Sequence, residues 1–418
     1  MEIKPINAVV YNLEKVDPKD IIAPPYDVIT NDYLEELYER SPYNIVRLIL
    51  NKDENRYDSA KAYYDKWINE KILINTEKPS IFYMVQTYTT ESGKKIQRKG
   101  FIARNKIEKF ETGKILPHEY TMGGPKADRL KLTRAVNANL SQIFMVYSDD
   151  KMRIENEVAP KYLSKKPFMD VVDDNGVQHT VYIIDDVDDI KIIQETLSDK
   201  TLLIADGHHR YETAMNYSME SKDPEAQYVM SYFTNAKDDN LIIFPTHRII
   251  TKDIEPNKIL EASKKYYDVV KMPGNTTKEE FLSKIEEENK KQITTGLLLK
   301  NDNSYYVLKL KETSKDLIDM PEVLKQLDLV ALQELIITKE LGYTKEEQMA
   351  QDGIKYIKQE YEAFDAIKNG KANASFIMAY PKMKDILDVS SNGYRMPQKS
   401  TYFYPKLLSG VVINPLHK

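Results

Sequence analysis

One short segment places an acid, two imidazoles and a guanidinium within five residues. The segment is Asp206-Gly207-His208-His209-Arg210, and the apolar run of residues 202–205 precedes it. An apolar run, a glycine and a helical pattern predict a strand, a turn and a helix N-terminus, a layout that directs backbone N–H groups at an anion. The alternative is that Asp206 only caps the helix and that ordinary first-turn polar residues follow it. The clustering of these groups favours the anion site.

A second polar segment, residues 116–129, is an irregular stretch that runs into a predicted helix. Loops with such content often carry function. Glu119, next to His118, can deprotonate a hydroxyl that attacks phosphorus. Lys126 and Arg129 are three residues apart, so they would share one helix face and can form a second cationic patch. The alternatives are that Glu119 is a capping or surface acid and that the two cations belong to a solvated helix face.

A third irregular segment, residues 396–406, lies near the end of the sequence. Its residues Lys399, Ser400 and Thr401 offer a cation and two hydroxyls to a small anionic substrate. The alternative for the two hydroxyl residues is a local turn. The aromatic residues 402–404 that follow are more typical of packing than of a stacking platform.

The residue types exclude several kinds of active site. The sequence has no cysteine, which excludes disulfides, thiolate metal sites and cysteine nucleophiles. It also lacks a Gly-x-Ser-x-Gly elbow, a Walker P-loop and a dinucleotide-binding glycine fingerprint. The adjacent His208 and His209 point apart, so they cannot easily ligate one zinc ion from a single helix face.

Phosphate chemistry fits the same residues better. Arg210, the two imidazoles and the N–H groups around Gly207 can hold phosphoryl oxygens. Asp206 can hold a Mg²⁺ ion that bridges donor phosphates. The sequence therefore predicts a phosphate site at the central segment.

Length and charge limit the location and partners of the protein. The 418 residues predict two or three domains, and the net charge of −5 gives no general attraction to nucleic acid or to an anionic membrane. No stretch approaches the ~20 apolar residues of a membrane-spanning helix, and the first residues show no signal-peptide pattern. We therefore expect a cytoplasmic protein with small-molecule substrates and without a membrane or nucleic-acid partner.

The pattern of apolar runs predicts an α+β fold with mixed sheets and hairpins. Two hairpins are predicted within residues 80–107 and 168–184, a strand at residues 44–50 and a long helix at residues 321–341. We divide the chain into a core, a second α/β domain and a C-terminal substrate-binding tail, at residues 1–250, 251–395 and 396–418.

The chain resembles, along nearly its whole length, the proteins grouped as domain of unknown function 1015. The landmarks occur in order as APPYDVI (23–29), SPYNIVRLI (41–49), LPHE (116–119) with GPKADR (124–129), ADGHHRYET (205–213) and PQKSTYFYPK (397–406). This family membership by itself implies little about activity.

A more distant resemblance implies more. The segment at residues 206–210 is similar to the strand–turn–helix motif of the ParB/sulfiredoxin-like fold, and within that fold to the free-serine kinases, which use ADP as donor. Those enzymes carry Pro-His-Glu before this motif and Pro-Lys-Thr/Ser-Thr near the C-terminus. This chain has Pro117-His118-Glu119 and Pro397-Gln398-Lys399-Ser400-Thr401 in the same order. The resemblance implies a ParB/sulfiredoxin-like core and a helical α/β C-terminal region that together form a cleft.

The same resemblance implies a role for each segment. Glu119 would be the catalytic base on the serine hydroxyl, with His118 and His209 beside it in the catalytic centre. The residues expected to hold the donor phosphates are Asp206, Gly207, His208, His209 and Arg210, assisted by Lys126 and Arg129. Lys399, Ser400 and Thr401 would contact the amino acid. The implied activity is magnesium-dependent phosphorylation of free L-serine to O-phospho-L-serine.

Several alternatives stay open at this point. Gln398 interrupts the Pro-Lys pair, so the alignment of that segment is looser. A long stretch separates Glu119 from Asp206 and can reshape the donor pocket, so the donor can be ADP, ATP or pyrophosphate. The acceptor can be serine or another small alcohol. A ParB-like nucleotide- or DNA-binding protein and a phosphohydrolase are the alternative functions, and the sequence does not define the oligomeric state. The sulfiredoxin branch is excluded because its chemistry needs a cysteine.

Overall fold

The computed structural model describes residues 1–90, 93–121, 123–397 and 399–417. Glu91, Ser92, Met122, Gln398 and Lys418 lie outside the described residues, so nothing follows here about the Gln398 interruption. The chain forms two compact units. Unit 1 comprises residues 1–117, 121–241 and 405–418, and unit 2 comprises residues 118–120 and 242–404. The three-part division and the cleft stay predictions.

Helices and strands alternate irregularly along the chain. The strands are β1 (Ile3–Lys4), β2 (Val9–Tyr11), β3 (Leu73–Asn75), β4 (Ile81–Thr89), β5 (Lys95–Lys106), β6 (Ile115–Pro117), β7 (Ala138–Asn139), β8 (Ile143–Tyr147), β9 (Met169–Val172), β10 (Gln178–Ile184), β11 (Leu202–Asp206), β12 (Tyr228–Asn235), β13 (Ile242–Phe244), β14 (His247–Ile250), β15 (Tyr267–Lys271), β16 (Thr294–Leu299), β17 (Tyr306–Leu310), β18 (Ile354–Ile357), β19 (Ala374–Ile377), β20 (Tyr402–Tyr404) and β21 (Asn414–Pro415). The α-helices are α1 (Pro18–Ile21), α2 (Asn31–Arg40), α3 (Val46–Ile49), α4 (Arg56–Asn69), α5 (Gly123–Val136), α6 (Ala159–Leu163), α7 (Val187–Leu197), α8 (His208–Glu220), α9 (Pro256–Tyr266), α10 (Lys278–Asn289), α11 (Glu312–Lys315), α12 (Glu322–Lys325), α13 (Asp328–Ala331), α14 (Lys345–Ala350), α15 (Glu360–Lys368) and α16 (Met383–Ser391). This composition confirms the predicted α+β class.

A large mixed sheet organises unit 1. Its strand order is β6-β11-β8-β12-β5-β4-β10-β9, and β1 pairs with β5. The pairs β6–β11 and β8–β12 are parallel, whereas β4–β5 and β9–β10 are antiparallel and confirm the two predicted hairpins. Because β6 and β11 run in the same direction, the chain leaves both strands at the same edge of the sheet.

The two faces of this sheet differ in composition. On one face, buried apolar residues such as Tyr83, Phe101 and Phe233 pack against apolar residues of α6, α7 and α8. The opposite face, which we call the polar face, carries buried polar residues such as Gln86 among apolar residues such as Ile102, because side chains alternate along each strand. Gln86 belongs to this second face and donates through Nε2 to the carbonyl oxygen of Lys406 at 3.1 Å. The segment of residues 405–418 therefore lies against the polar face.

Unit 2 contains an antiparallel sheet of its own. Its strand order is β15-β17-β16-β19-β14-β18. Phe281 and Ile285 of α10 and Ala363 of α15 are buried against this sheet with strand residues such as Leu298 and Val307. A separate antiparallel pair joins β13 to β20 and brings residues 402–404 next to the start of unit 2.

The strand predicted at residues 44–50 is wrong, because the chain forms the short helix α3 there. The hydrogen bonds of Asn44 outweigh the β-propensity of the apolar run: Asn44 accepts from the N–H of Val46 at 3.0 Å, and its amide donates to the carbonyl of Asp20 at 2.8 Å. The helix predicted at residues 321–341 is also divided, into α12, α13 and a π-helical stretch, Leu332–Thr338. No helix in the described part of the chain is long and apolar enough to cross a membrane.

Candidate functional site

The central segment folds as the sequence predicts. β11 ends at Asp206, and α8 begins at His208. Gly207 lies between them with φ +94°, in the left-handed region that favours glycine. The helix begins without a side-chain cap, so the alternative in which Asp206 caps it is wrong. His208 is buried and His209 is half-buried, and both lie in the first turn of α8.

Asp206 is held between two cations. Its Oδ1 lies 2.8 Å from Lys406 Nζ, and its Oδ2 lies 2.7 Å from Arg210 Nη2. Burial alone would raise the pKa of this carboxyl, but the charges of Lys406 and Arg210 outweigh burial and lower the pKa well below its usual value. Asp206 is therefore ionised throughout the neutral range, and it orients the two cations at the start of α8.

Two of the predicted donor-binding arginines line one cavity of unit 1. Arg210 donates through Nη1 to the carbonyl of Gln142. Arg129 donates to the carbonyl of Ile49 at 2.6 Å and stacks on the ring of Tyr26, with 4.1 Å between its guanidinium carbon and the ring centroid. Both guanidinium groups border a small cavity of about 60 Å³. The structure therefore brings Arg129 and Arg210 together.

Lys126 points to a different partner. Its Nζ lies 2.6 Å from a carboxylate oxygen of Glu212 on α8, and Thr121 donates its hydroxyl to the other oxygen of Glu212 at 2.8 Å. Arg129 is likewise paired with a carboxylate, that of Asp128. The predicted second cationic patch is thus two separate ion pairs, one that joins α5 to α8 and one within α5.

In unit 2 the Pro-His-Glu segment meets the C-terminal segment. Nε2 of His118 lies 2.9 Å from Oγ1 of Thr401, and it lies 3.9 Å from Oε1 of Glu119. The backbone N–H of Met396 donates to the carbonyl of His118 at 2.8 Å, and the ring of Phe403 lies 5.9 Å from the imidazole. His118 is fully buried, so these contacts fix its ring. Residues almost three hundred positions apart thus form one cluster.

The other two residues of the predicted substrate segment have local roles in the structure. Ser400 is buried and donates its hydroxyl to the carbonyl of Pro397, which is the local turn considered as an alternative. Lys399 is exposed and has φ +57°. The fully buried Arg248 lies with Nη2 3.5 Å from the carbonyl of Lys399 and donates through Nη1 to the carbonyl of Thr246. Thr401 is therefore the hydroxyl of this segment that contacts a catalytic candidate.

The described residues provide no ready-made metal centre. No group of three or more histidine, aspartate or glutamate side chains among them is arranged to hold a metal ion. The two oxygens of Asp206, the predicted ligand, each have a cationic partner. A magnesium ion would have to displace one of these cations or arrive with the donor phosphates. These residues do not fit a resident magnesium site, and magnesium stays a prediction.

Three further residues of the site were missed by the sequence analysis. Lys406, which pairs with Asp206, is the last residue of the third irregular segment. Glu212 follows His208 by one helical turn, a spacing that places both on one face. Arg98 lies on the polar face of the sheet and is fully buried. The sequence does contain a signal for Arg98: it occupies a position of β5 where the alternation predicts an inward apolar residue, as at Ile96 and Ile102.

Comparison with solved structures finds likeness at low levels. A variant free serine kinase in complex with ADP shares 13% identity, with 72% of this chain and 87% of that chain covered and a TM-score of 0.37. A free serine kinase in complex with AMP shares 14% identity, with 72% and 86% covered and a TM-score of 0.36. SbnI with a C-terminal truncation, from Staphylococcus aureus, shares 10% identity, with 75% and 87% covered and a TM-score of 0.35. Likeness at TM-scores this low establishes no shared activity.

The family comparison is more specific. No curated protein matches the chain. A family model described as "Protein of unknown function (DUF1015)" matches residues 3–330, which include the central segment and the Pro-His-Glu segment. Since the match covers most of the chain, the protein belongs to the DUF1015 family.

Proposed function

We propose that the protein transfers a phosphoryl group from a diphosphate-containing donor to the hydroxyl of free L-serine. The observation that carries the proposal is the cluster of His118, Glu119 and Thr401. It joins a carboxylate to the segment that the resemblance to free-serine kinases assigns to the amino acid. A carboxylate beside a substrate hydroxyl is what a phosphoryl transfer to an alcohol requires.

The Pro-His-Glu segment and the donor segment each follow a strand of one parallel pair in unit 1. Pro117 is the residue opposite Ile204 in the parallel pair β6–β11. Glu119 follows Pro117 by two residues, and Asp206 follows Ile204 by two residues. Both segments therefore continue from the same edge of the sheet in unit 1.

The proposed reaction has one proton transfer and one displacement. Glu119 accepts the proton of the serine hydroxyl, and the serine oxygen forms a bond to the terminal phosphorus of the donor. The bond between that phosphorus and the bridging oxygen breaks, and the negative charge leaves with the shortened donor. His118 holds the Thr401 hydroxyl in place at 2.9 Å and lies 3.9 Å from the Glu119 carboxylate, and Thr401 orients the amino acid.

We assign donor binding to the start of α8. Gly207, His208 and His209 place backbone N–H groups and imidazoles at the helix N-terminus, and Arg210 adds a guanidinium. ADP, ATP and pyrophosphate all satisfy this proposal. Magnesium, if it enters with the donor, would neutralise charge on the phosphates.

The test is phosphorus NMR and mass spectrometry on the full-length protein with MgCl₂ and L-serine, with ADP, ATP or pyrophosphate in separate samples. O-phosphoserine in any sample supports the proposal and identifies the donor. Parallel samples with L-threonine or L-homoserine measure the choice of acceptor. Release of inorganic phosphate at the same rate with and without serine would contradict the kinase function and favour a phosphohydrolase. No turnover in any sample would also contradict it.

A further inference from the structure

The polar face of the sheet in unit 1 contains a buried arginine that the proposed reaction does not use. Arg98 has no exposed surface. Its Nε donates to Oε1 of Gln86 at 3.0 Å, and its Nη2 donates to the same oxygen. Its Nη1 has no hydrogen-bond partner among the described residues. A neutral amide oxygen does not balance a guanidinium charge, so this cation is incompletely compensated.

An unpaired buried cation lowers the free energy of unfolding unless a bound partner compensates its loss of hydration. Removing a charged group from water costs several kcal/mol even after the protein relaxes, and an unsatisfied N–H adds to that cost. The other two buried arginines of the described chain have partners: Arg104, on the same strand, pairs with Glu225, and Arg248 donates to backbone carbonyls. The retention of Arg98 without such a partner points to a ligand.

The register of the sheet places Arg98 beside the donor segment. Its guanidinium lies over the ring of Phe144, 4.5 Å from the centroid. Phe144 on β8 is the cross-strand partner of Asp206 on β11. Burial lowers the pKa of the Arg98 guanidinium, and the charge of Asp206 is among the groups that act in the opposite direction. The guanidinium of Arg98 therefore lies over the residue that faces Asp206 across the two strands.

Gln86 connects Arg98 to Lys406. Its Oε1 accepts from Arg98, and its Nε2 donates to the carbonyl of Lys406. The Nζ of Lys406 then reaches Oδ1 of Asp206. Lys406 and Arg210 thus contact Asp206 directly, and Gln86 links Lys406 to a third cation, Arg98.

We propose that Arg98 and Lys406, together with Arg210, form a binding site for a diphosphate group. One phosphoryl group would be satisfied by Arg210 and the helix N-terminus alone, whereas two linked phosphoryl groups can also engage Lys406 and the unpartnered Nη1 of Arg98. When the diphosphate binds, Lys406 and Arg210 would give up part of their ion pairing with Asp206 and donate to the phosphoryl oxygens instead. This inference rests on the proposed function for the ligand's role as donor, but the binding itself is testable without serine.

The experiment measures binding of inorganic pyrophosphate and of inorganic phosphate to the full-length protein by calorimetry. We expect pyrophosphate to bind the unsubstituted protein at least about 10-fold more tightly than phosphate. Arg98→Met and Lys406→Met should each weaken pyrophosphate binding by about 10- to 100-fold, the range of a lost charged hydrogen bond. Both variants should weaken phosphate binding much less. Arg104→Met is the matched control, because Arg104 lies on the same strand with its own carboxylate, and it should leave pyrophosphate affinity unchanged.

Thermal unfolding without ligand separates a binding role from a structural one. Loss of an uncompensated buried charge should leave the melting temperature of Arg98→Met equal to or above that of the unsubstituted protein. A lowered melting temperature with unchanged pyrophosphate affinity would overturn the proposal, as would equal losses in the Arg104→Met control. If Arg98→Met does not fold, Lys406→Met decides, since Lys406 is partly exposed. If the unsubstituted protein makes no phosphoserine but the Arg98→Met and Lys406→Met variants still lose pyrophosphate binding, the result supports this site and contradicts only the kinase function.

Discussion

Replacement of Gly207 by alanine tests how the turn between β11 and α8 builds the donor site. A Cβ atom at this position would lie 3.0 Å from Nη2 of Arg210 and 3.1 Å from its guanidinium carbon. Arg210 cannot move away without cost, because it is bound to Asp206 and to the carbonyl of Gln142. The substitution therefore disturbs the cation that we assign to the donor phosphates.

Two separate effects contribute to the expected outcome. An alanine at φ +94° is strained, which should lower the free energy of unfolding by about 1–2 kcal/mol. Displacement of the guanidinium should remove one charged hydrogen bond to the ligand, which corresponds to about 10-fold or more in affinity. Gly176→Ala is the matched control for the first effect, because Gly176 has φ +76° in the turn between β9 and β10 and no atom within 4 Å of the added Cβ.

The assay combines chemical denaturation with calorimetric titration of pyrophosphate. We expect Gly207→Ala and Gly176→Ala to lose similar stability, and only Gly207→Ala to lose affinity. Equal pyrophosphate affinity in the two variants would refute the assignment of Arg210 to the donor phosphates. A loss of affinity in both would show that the effect comes from general destabilisation.

Two further predictions concern unit 2. Thr401→Val should raise the KM for serine by about 2- to 10-fold, because it removes the hydroxyl next to His118. Thr401→Ser should keep the KM of the unsubstituted protein, and equal KM values for the two variants in steady-state kinetics would contradict the substrate assignment. Burial, assisted by the charge of Arg248, lowers the pKa of His247 from 6.5 to about 3. Below pH 6.5 this histidine is therefore protonated in the unfolded chain but stays neutral in the folded chain. The free energy of unfolding should fall by about 2 kcal/mol between pH 7 and pH 5. His247→Asn, which retains an acceptor for the N–H of Met378, should reduce this loss in denaturation curves at the two pH values; an unchanged pH dependence would contradict the buried neutral imidazole.

Local patterns predicted a substantial part of the fold. The strand and helix around Gly207 agree with the structure because the apolar run, the glycine and the helical periodicity all favour the same local conformations. The two hairpins agree for the same reason. The prediction for residues 44–50 was wrong because Asn44 donates to carbonyls at the end of α1, which is distant in the sequence and which no local pattern contains.

The arrangement of the site depends on contacts between distant residues. The pairing of His118 with Thr401 could be anticipated only through a resemblance that assigned both segments to one substrate. The pairing of Asp206 with Lys406, and the place of Arg98 beside them, depend on the register of strands that are far apart in sequence. Single-sequence reasoning shows that a charge lies at an inward position of β5, but it does not show which residues surround that charge.

Phosphoserine formation by Glu119→Gln tests the central claim most directly. The measurement uses the donor that gives O-phosphoserine with the unsubstituted protein, and it records both the initial rate and the affinity for that donor. Loss of the catalytic base should lower the rate by at least about 100-fold and leave donor affinity unchanged. Glu111→Gln, at an exposed carboxylate shortly before β6, is the control and should retain the full rate. A Glu119→Gln variant that forms phosphoserine at the rate of the Glu111→Gln control would contradict the account.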